Sequence, residues 1–204
     1  MTEPAKTPGE KFEEFLLKEY DNIAQAHFNT VNTISAFFRY YLLIVALPVP
    51  LLALVTKERG LLELLHDLGG AVPAASVLIA LVGLLVMCYV CNLRFDALLY
   101  ARAVNGIRKH FAENSGLGPE ALKAFLVLPT KTDKPPYFEG RYFLFVVLAF
   151  ALLDSAYPFG GLLFWVDWCC ARWVSAFVVG GGFFALHLLA YWWLSVWRER
   201  QYLK

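Results

Sequence analysis

Long runs of apolar residues alternate with polar segments along the chain, and the apolar runs predict transmembrane helices. A helix rises 1.5 Å per residue, so about 20 apolar residues cross the roughly 30 Å hydrocarbon core of a bilayer. Four runs approach that length, and they cover residues 40–55, 73–91, 142–157 and 174–197. We therefore predict an all-α membrane protein with four transmembrane helices, arranged as two hairpins at residues 40–91 and 142–197.

The polar segments predict three further parts of the molecule. Residues 1–39 begin with a tail, disordered through about residue 9, and continue as an amphipathic helix whose apolar side chains recur at threes, fours and sevens. Residues 92–141 form a helix followed by a linker, and residues 198–204 form a short tail. No Gly–Pro break separates the second apolar run from residues 92–113, so the pattern predicts one continuous helix.

Three shorter features complete the predicted organisation. Residues 57–70 repeat leucine over a length too short to cross a bilayer, which favours a helix lying on the membrane surface. Pro119 is suited to the first position of a short helix over residues 119–126. The sequence PFGG after Tyr157 predicts the end of the third span, and the aromatic residues at 162–173 indicate an interfacial belt.

Composition supports a membrane protein, since 59% of the 204 residues are hydrophobic and 17% are charged. Soluble domains typically have about 45–50% apolar and about 25% charged residues. Fifteen of the 18 Lys and Arg residues lie in the amino-terminal segment, the central segment 92–141 and the carboxyl-terminal tail. Because basic residues accumulate on the cytoplasmic side of membrane proteins, we predict that both termini and the central segment are cytoplasmic.

Basic and polar side chains cluster on one face of the helix at residues 92–113 when residues are placed at 100° intervals. This cluster, which we call the basic stripe, consists of Arg94, Arg102, Asn105, Arg108 and Lys109. The stripe suits contact with anionic lipid head groups and solvent. It also suits binding of an anionic ligand or an acidic protein partner.

Asp96 is the exception on the opposite, apolar face of the same helix. A carboxylate packed against other helices needs a partner, because burying it alone is costly. Arg39 begins the first span at the same predicted membrane boundary. We therefore predict a structural ion pair between Arg39 and Asp96 that fastens the first hairpin.

Asp154 and His187 are the ionisable side chains that lie well inside apolar spans. Helix rise places them about 20 Å and 16 Å from the predicted cytoplasmic boundary, so antiparallel spans bring them to similar levels. Intramembrane ionisable residues usually face a bundle interior or a water-filled path, which makes these two functional candidates. The alternative is structural: Asp154 caps the end of its span and His187 bonds a neighbouring carbonyl.

Small residues mark two further contact sites within the apolar runs. Ser76, Ala80 and Gly83 give the second span a side suited to close helix packing. The run Gly180-Gly181-Gly182, near His187 in the last span, permits either close packing or a break.

Four cysteines form two pairs, Cys88 with Cys91 and Cys169 with Cys170. Some four-span membrane proteins that generate disulfides also use two cysteine pairs. The predicted orientation places the present pairs on opposite sides of the membrane, which disfavours exchange between them. The sequence contains no P-loop, HExxH or comparable catalytic fingerprint and no metal-ligand spacing. We therefore predict a protein that is not an enzyme, uses no cofactor or metal, and binds no nucleic acid.

The order of parts over residues 10–113 resembles the SLATT-type bacterial membrane effectors of antiviral defence. The resemblance rests on KEYDNIAQAHFNTVNTISAFF, a soluble amino-terminal helix, and on RFDALLYARAVNGIRKHF, a helix that returns into the cytosol after a hairpin. The second hairpin instead looks like the four-span membrane subunits of some defence systems. The resemblance implies homo-oligomerisation in the inner membrane, and pore formation or membrane disruption when a signal arrives.

These observations lead to three functional hypotheses. The first is a non-enzymatic, oligomeric inner-membrane effector or sensor subunit that perturbs the bilayer under control of the basic stripe. The second is a small transporter or proton-linked membrane protein that uses Asp154 and His187. The third is a membrane scaffold that recruits a soluble partner through the amino-terminal helix.

Overall fold

Four long α-helices make up most of the protein in a computed structural model, which describes residues 7–48, 69–118, 121, 128, 130–137, 141–165 and 170–202. Helix α1 covers Pro8–Ala46 and α2 covers Ala71–Asn114. Helix α3 covers Arg141–Trp165 and α4 covers Cys170–Tyr202. The predicted all-α class is confirmed.

Three helices within the described residues are long and apolar enough to cross a membrane. They cover Ala71–Asn114, Phe143–Leu163 and Arg172–Tyr202, and each contains an apolar window of 18 residues, with mean hydropathies of 2.6, 1.8 and 1.8 for the three windows. These match the second, third and fourth predicted spans, so a membrane location is supported. The first predicted span is described only up to residue 48, and the predicted helices at 57–70 and 119–126 lie almost wholly outside the described residues.

Helix α1 begins two residues earlier than the sequence analysis predicted, because a reciprocal cap stabilises its first turn. The backbone N–H of Glu10 donates to Thr7 Oγ1 at 3.3 Å, and the backbone N–H of Thr7 donates to Glu10 Oε2 at 2.7 Å. Pro8 occupies the first helical position, where its missing N–H costs nothing. This is a capping box, and it satisfies two donors that a helix start otherwise leaves unpaired.

Helix α2 is continuous, as predicted, from the apolar run into the polar segment. Its 44 residues correspond to about 66 Å at 1.5 Å per residue, roughly twice the thickness of a bilayer core. The helix ends where Gly116 takes a left-handed conformation with φ of 65°. The Ser115 hydroxyl helps this exit by donating to Ala112 O and accepting from the Leu117 N–H.

Helix α3 does not end at Tyr157, so the predicted stop at PFGG is wrong. The helix passes through Pro158 and both glycines to Trp165. A proline inside a helix removes one backbone hydrogen bond, and neighbouring helices make that loss tolerable in apolar bundles. Pro158 is fully buried, and a Cβ on Gly161 would lie only 3.1 Å from Pro73 Cα of α2. Close packing of this stretch against α2 therefore holds the helix together.

The chain divides into two compact units. The first unit contains residues 1–33 and 93–139, and the second contains residues 34–92 and 140–204. Helices α1 and α2 thus each contribute one part to each unit.

In the first unit, the amino-terminal part of α1 runs antiparallel to the carboxyl-terminal part of α2. The Phe12 ring meets the His110 ring edge-on at 5.6 Å, and Arg108 lies over the Tyr20 ring at 5.7 Å. Further along, His27 Nδ1 is 2.9 Å from the carbonyl oxygen of Ala97. Aromatic and polar contacts therefore tie the two helices along this unit.

In the second unit, parts of all four helices pack as a bundle. Helix α3 runs antiparallel to α4, as the pairs Phe143–Tyr191 and Phe159–Phe177 show. Helix α1 runs parallel to α3, since Phe38, Tyr41 and Val45 contact Phe150, Asp154 and Tyr157 in that order. The outer faces carry large apolar side chains, including Trp192 and Trp193, which are 58% and 59% exposed. Such faces suit contact with lipid or with another copy of the chain.

Candidate functional site

Asp154 and His187 meet in the interior of the second unit. His187 Nε2 lies 2.8 Å from Asp154 Oδ2, and both side chains have no exposed surface. Asp154 belongs to α3 and His187 to the antiparallel helix α4, so the similar depths inferred from sequence correspond to direct contact. Each helix is otherwise strongly apolar around these positions, and the two residues satisfy each other's hydrogen-bonding groups.

Tyr41 of α1 is the third member of this cluster. Its hydroxyl donates to Asp154 Oδ1 at 2.6 Å, and the Tyr41 side chain is only 3% exposed. Its ring packs on Phe150 with a centroid separation of 4.1 Å. The sequence analysis did not single out Tyr41, because a tyrosine near the start of a span ordinarily belongs to the interfacial aromatic belt.

Glycine at position 83 makes room for the carboxylate. A Cβ built on Gly83 of α2 would collide with all three carboxyl atoms of Asp154. Sequence analysis predicted a small-residue side of this span, and Ala80, with no exposed surface, and buried Gly83 form it. Four helices therefore define the site: three supply polar side chains, and the fourth supplies the space.

The second nitrogen of His187 determines how many protons the cluster holds. His187 Nδ1 lies 2.7 Å from the carbonyl oxygen of Phe183. A carbonyl only accepts, so Nδ1 must carry a hydrogen and donate it. A hydrogen bond between Nε2 and Asp154 Oδ2 then requires one more proton, either on Nε2 or on the carboxyl group.

Both placements of that proton leave the pair with no net charge. The pair is either a neutral carboxyl donating to a neutral imidazole, or a carboxylate accepting from an imidazolium. Removing the proton places an ionised carboxylate against an imidazole lone pair in an apolar interior, which is expensive. The Tyr41 hydroxyl donates to Asp154 in either arrangement, so the cluster is an acid and a base sharing one proton.

Other polar side chains of the bundle bond to backbone rather than to this cluster. Tyr157, one turn beyond Asp154 on α3, donates its hydroxyl to the carbonyl of Val45 on α1. Ser195 of α4 donates to the Tyr191 carbonyl of its own helix at 2.6 Å. The glycine run is helical throughout, and Gly180 packs against Phe159 of α3 while Gly181 and Gly182 face open space.

The structure distributes the basic stripe over different contacts in the first unit. Arg102 is 3% exposed and donates from Nε and Nη2 to the carbonyl of Pro135 at 3.3 Å and 3.2 Å. Asn105 is 5% exposed and donates to the carbonyls of Lys131 and Lys134 at 3.2 Å and 2.9 Å. These two residues therefore hold the segment 131–135, and the Phe95–Tyr137 ring contact lies alongside.

The remaining stripe residues differ in exposure. Arg108 donates to the Tyr20 hydroxyl at 3.0 Å, whereas Lys109 is exposed and forms an ion pair of 3.8 Å with Glu113. Arg94 is half-buried. The ligand-binding role predicted for the stripe stays a prediction.

The predicted Arg39–Asp96 ion pair joins residues of different units. Arg39 is exposed on α1 in the second unit, and Asp96 is half-buried on α2 in the first. The pair stays a prediction.

The cysteines of the second span are free thiols in this structure. Cys91 is buried and Cys88 is half-buried, which suits two small apolar side chains on a helix. Cys170 begins α4, and Cys169 lies outside the described residues. Among the residues that the structure describes, no group of three or more His, Cys, Asp and Glu is arranged to hold a metal ion.

Comparison with protein families, with curated proteins and with solved structures finds no match for this chain. The candidate site therefore stands on its geometry: a proton-sharing Tyr–Asp–His cluster at the centre of an apolar helical bundle.

Proposed function

We propose that this chain is a proton-linked transporter of the inner membrane, with several spans and cytoplasmic termini. The observation that carries the proposal is the Tyr41–Asp154–His187 cluster, buried between helices that are apolar enough to cross a membrane. Intramembrane acids and bases in contact are the usual parts of proton relays.

The composition of the cluster favours proton handling over a purely structural contact. A single neutral hydrogen bond is enough to fasten two helices in lipid, and it contributes about 0.6–2 kcal/mol. This site instead joins an ionisable acid, Asp154, to an ionisable base, His187. The Tyr41 hydroxyl also donates to Asp154, and the His187 Nδ1–H donates to the Phe183 carbonyl. Such an arrangement accepts and releases a proton while keeping its other hydrogen bonds.

Proton loss provides the coupling to movement. Without the shared proton, Asp154 Oδ2 and His187 Nε2 present lone pairs to each other at 2.8 Å. The repulsion and the unbalanced buried charge favour separation of α3 from α4, or entry of a compensating cation. The bundle thus has two states whose relative populations depend on one proton.

Purified protein in liposomes tests this proposal. An imposed pH gradient should drive a proton flux, measured with an entrapped pH-sensitive dye, and Asp154→Asn and His187→Gln should each reduce it at least about tenfold. Ser195→Ala is the matched control, since Ser195 is also buried on α4 but bonds only its own helix in the contacts described. Unchanged flux in folded Asp154→Asn protein contradicts the proposal.

A membrane-perturbing effector controlled through the basic stripe is the second candidate, with a homo-oligomer and a cytoplasmic partner or anionic ligand. The observation that favours it is the attachment of segment 131–135 to Arg102 and Asn105. An anion that binds Arg102 competes with the Pro135 carbonyl and releases this segment, which supplies a route for a signal.

Membrane potential in cells producing the protein separates the two candidates. An effector predicts depolarisation that survives Asp154→Asn but is lost on charge reversal at Arg102 and Arg108. A proton-linked transporter predicts that the change in membrane potential is lost in Asp154→Asn but survives charge reversal at Arg102 and Arg108.

A further inference from the structure

Tyr157 fastens α3 to α1 one turn beyond the proton-sharing cluster. Its hydroxyl donates to the carbonyl of Val45. One turn earlier on α1, the Tyr41 hydroxyl donates to Asp154 Oδ1 of α3 at 2.6 Å. Residues three or four positions apart share one face of a helix, and both Asp154 with Tyr157 and Tyr41 with Val45 have this spacing. Two adjacent tyrosine bonds, which run in opposite directions, therefore join the two helices.

The backbone of α3 lacks a hydrogen bond at the turn that carries Asp154 and Tyr157. In an α-helix, the carbonyl of each residue accepts from the N–H of the residue four positions further on. For Asp154 that residue is Pro158, which lies inside α3 and has no N–H to donate. The orientation of side chains on this turn therefore depends more strongly on contacts with other helices.

The end of α1 lies at the same level of the bundle. The last four carbonyls of a helix have no N–H partner within that helix. Val45 is the residue before Ala46, where α1 ends, and the Tyr157 hydroxyl supplies a donor to its carbonyl. One side chain thus connects the last turn of α1 to the proline-containing turn of α3.

We propose that Tyr157 is a positioning residue for the Asp154–His187 pair, because its bond to Val45 fixes the register of α1 at which the Tyr41 hydroxyl reaches Asp154. Tyr157 acts on the pair through α1 and Tyr41, since its hydroxyl bonds to the Val45 carbonyl. Without this bond, the last turn of α1 can move against α3, and Asp154 Oδ1 loses its donor for part of the time. The consequence for transport rests on the proposed proton-linked function, whereas the consequence for the Tyr41–Asp154 bond does not.

Infrared spectroscopy of the purified full chain in detergent tests the inference. The band of the Asp154 carboxyl group is the one that disappears in Asp154→Asn, and it should shift in Tyr41→Phe, which removes the donor. Tyr157→Phe keeps the ring and should shift the band in the same direction. It should add no shift when Tyr41 is already replaced, because the two residues act through one bond. An unchanged band in folded Tyr157→Phe protein, or a further shift in the double variant, overturns the inference.

Proton flux in liposomes separates this inference from the proposed function. Tyr157→Phe should reduce the Asp154-dependent flux about two- to tenfold, the effect of losing one hydrogen bond, and should cause no further loss in a Tyr41→Phe background. Tyr89→Phe is the matched control, since Tyr89 is on α2 and 47% exposed, and it should leave the band and the flux unchanged. Wild-type protein without Asp154-dependent flux overturns the proposed function, and the infrared band still decides the inference.

Discussion

At the residue scale, the chemistry of this protein depends on one carboxyl group that forms hydrogen bonds with side chains of two other helices. Asp154 is bonded by Tyr41 and by His187, and it occupies space left by Gly83. The three neighbours contribute differently, because Tyr41 donates, His187 shares a proton, and Gly83 leaves room. Substitutions at these positions therefore have distinguishable consequences.

Gly83→Ala should disrupt the cluster through steric overlap. The added methyl group occupies the volume of the Asp154 carboxyl group, so α2 must shift or Asp154 must leave its partners. Overpacking of a tight interior costs about 1–3 kcal/mol. We expect a lower thermal unfolding midpoint in detergent together with loss of proton flux.

Gly181→Ala controls for the change of residue type, because a Cβ at Gly181 meets nothing within 4 Å. This variant should keep wild-type stability and flux. Equal stability of the Gly83 and Gly181 variants contradicts the close approach of α2 to Asp154.

Tyr41→Phe should remove one donor while keeping the ring contact with Phe150. Loss of a partner by a buried polar group costs about 1–3 kcal/mol. We expect reduced stability and reduced proton flux, measured by thermal unfolding and by the liposome assay.

Tyr89→Phe is the corresponding control, since Tyr89 is 47% exposed and its ring contacts Phe37. A Tyr41 variant that unfolds and transports like the Tyr89 variant argues against a role for the Tyr41 hydroxyl.

At the element scale, α2 combines two functions along one uninterrupted helix. Its apolar part supplies Gly83 to the bundle, and its polar part supplies Arg102 and Asn105 to the segment 131–135. Within this segment the Lys134 N–H donates to the Lys131 carbonyl at 3.2 Å, and side-chain donors from α2 bond the carbonyls of Lys131, Lys134 and Pro135. The segment is thus shaped by the helix on which it lies.

Asn105→Leu should release this segment without breaking α2. The change removes the donors to the carbonyls of Lys131 and Lys134, while the Lys131 carbonyl keeps its bond from the Lys134 N–H. Each lost hydrogen bond contributes about 0.5–1.5 kcal/mol. We expect amide hydrogen exchange to accelerate over residues 131–137, measured by mass spectrometry.

Asn92→Leu is the control on the same helix, because Asn92 donates to the Cys88 carbonyl of its own helix at 3.0 Å. Exchange over residues 131–137 should be unchanged in that variant. Equal exchange in both variants contradicts the anchoring role of Asn105.

At the scale of the whole molecule, the chain separates into a bundle with candidate membrane spans and a smaller unit built from the polar ends of α1 and α2. The bundle has polar chemistry inside and large apolar side chains outside, the reverse of a soluble domain's surface. The smaller unit uses aromatic contacts and side-chain-to-carbonyl bonds. The division follows from the alternation of apolar runs and polar segments in the sequence.

Sequence analysis predicted the elements well because their signals are local. Hydrophobic run length predicted four spans, and three of them are helices long and apolar enough to cross a membrane. The absence of breakers predicted the continuous α2. It failed at Pro158, where the breaker signal PFGG is also local but packing on neighbouring helices outweighs it. The capping box at Thr7 is a local signal too, and the predicted start of α1 did not take it into account.

The sequence by itself determined that Asp154 and His187 are exceptional, because an acid and a base inside apolar runs need partners whatever the fold. Only the tertiary structure decided which partners they have. The contacts with Tyr41 and Gly83 come from helices more than 60 residues away along the chain. The periodic pattern of apolar residues in the sequence does not predict them. Burial cost is a local property of a side chain, whereas its compensation depends on how the helices pack.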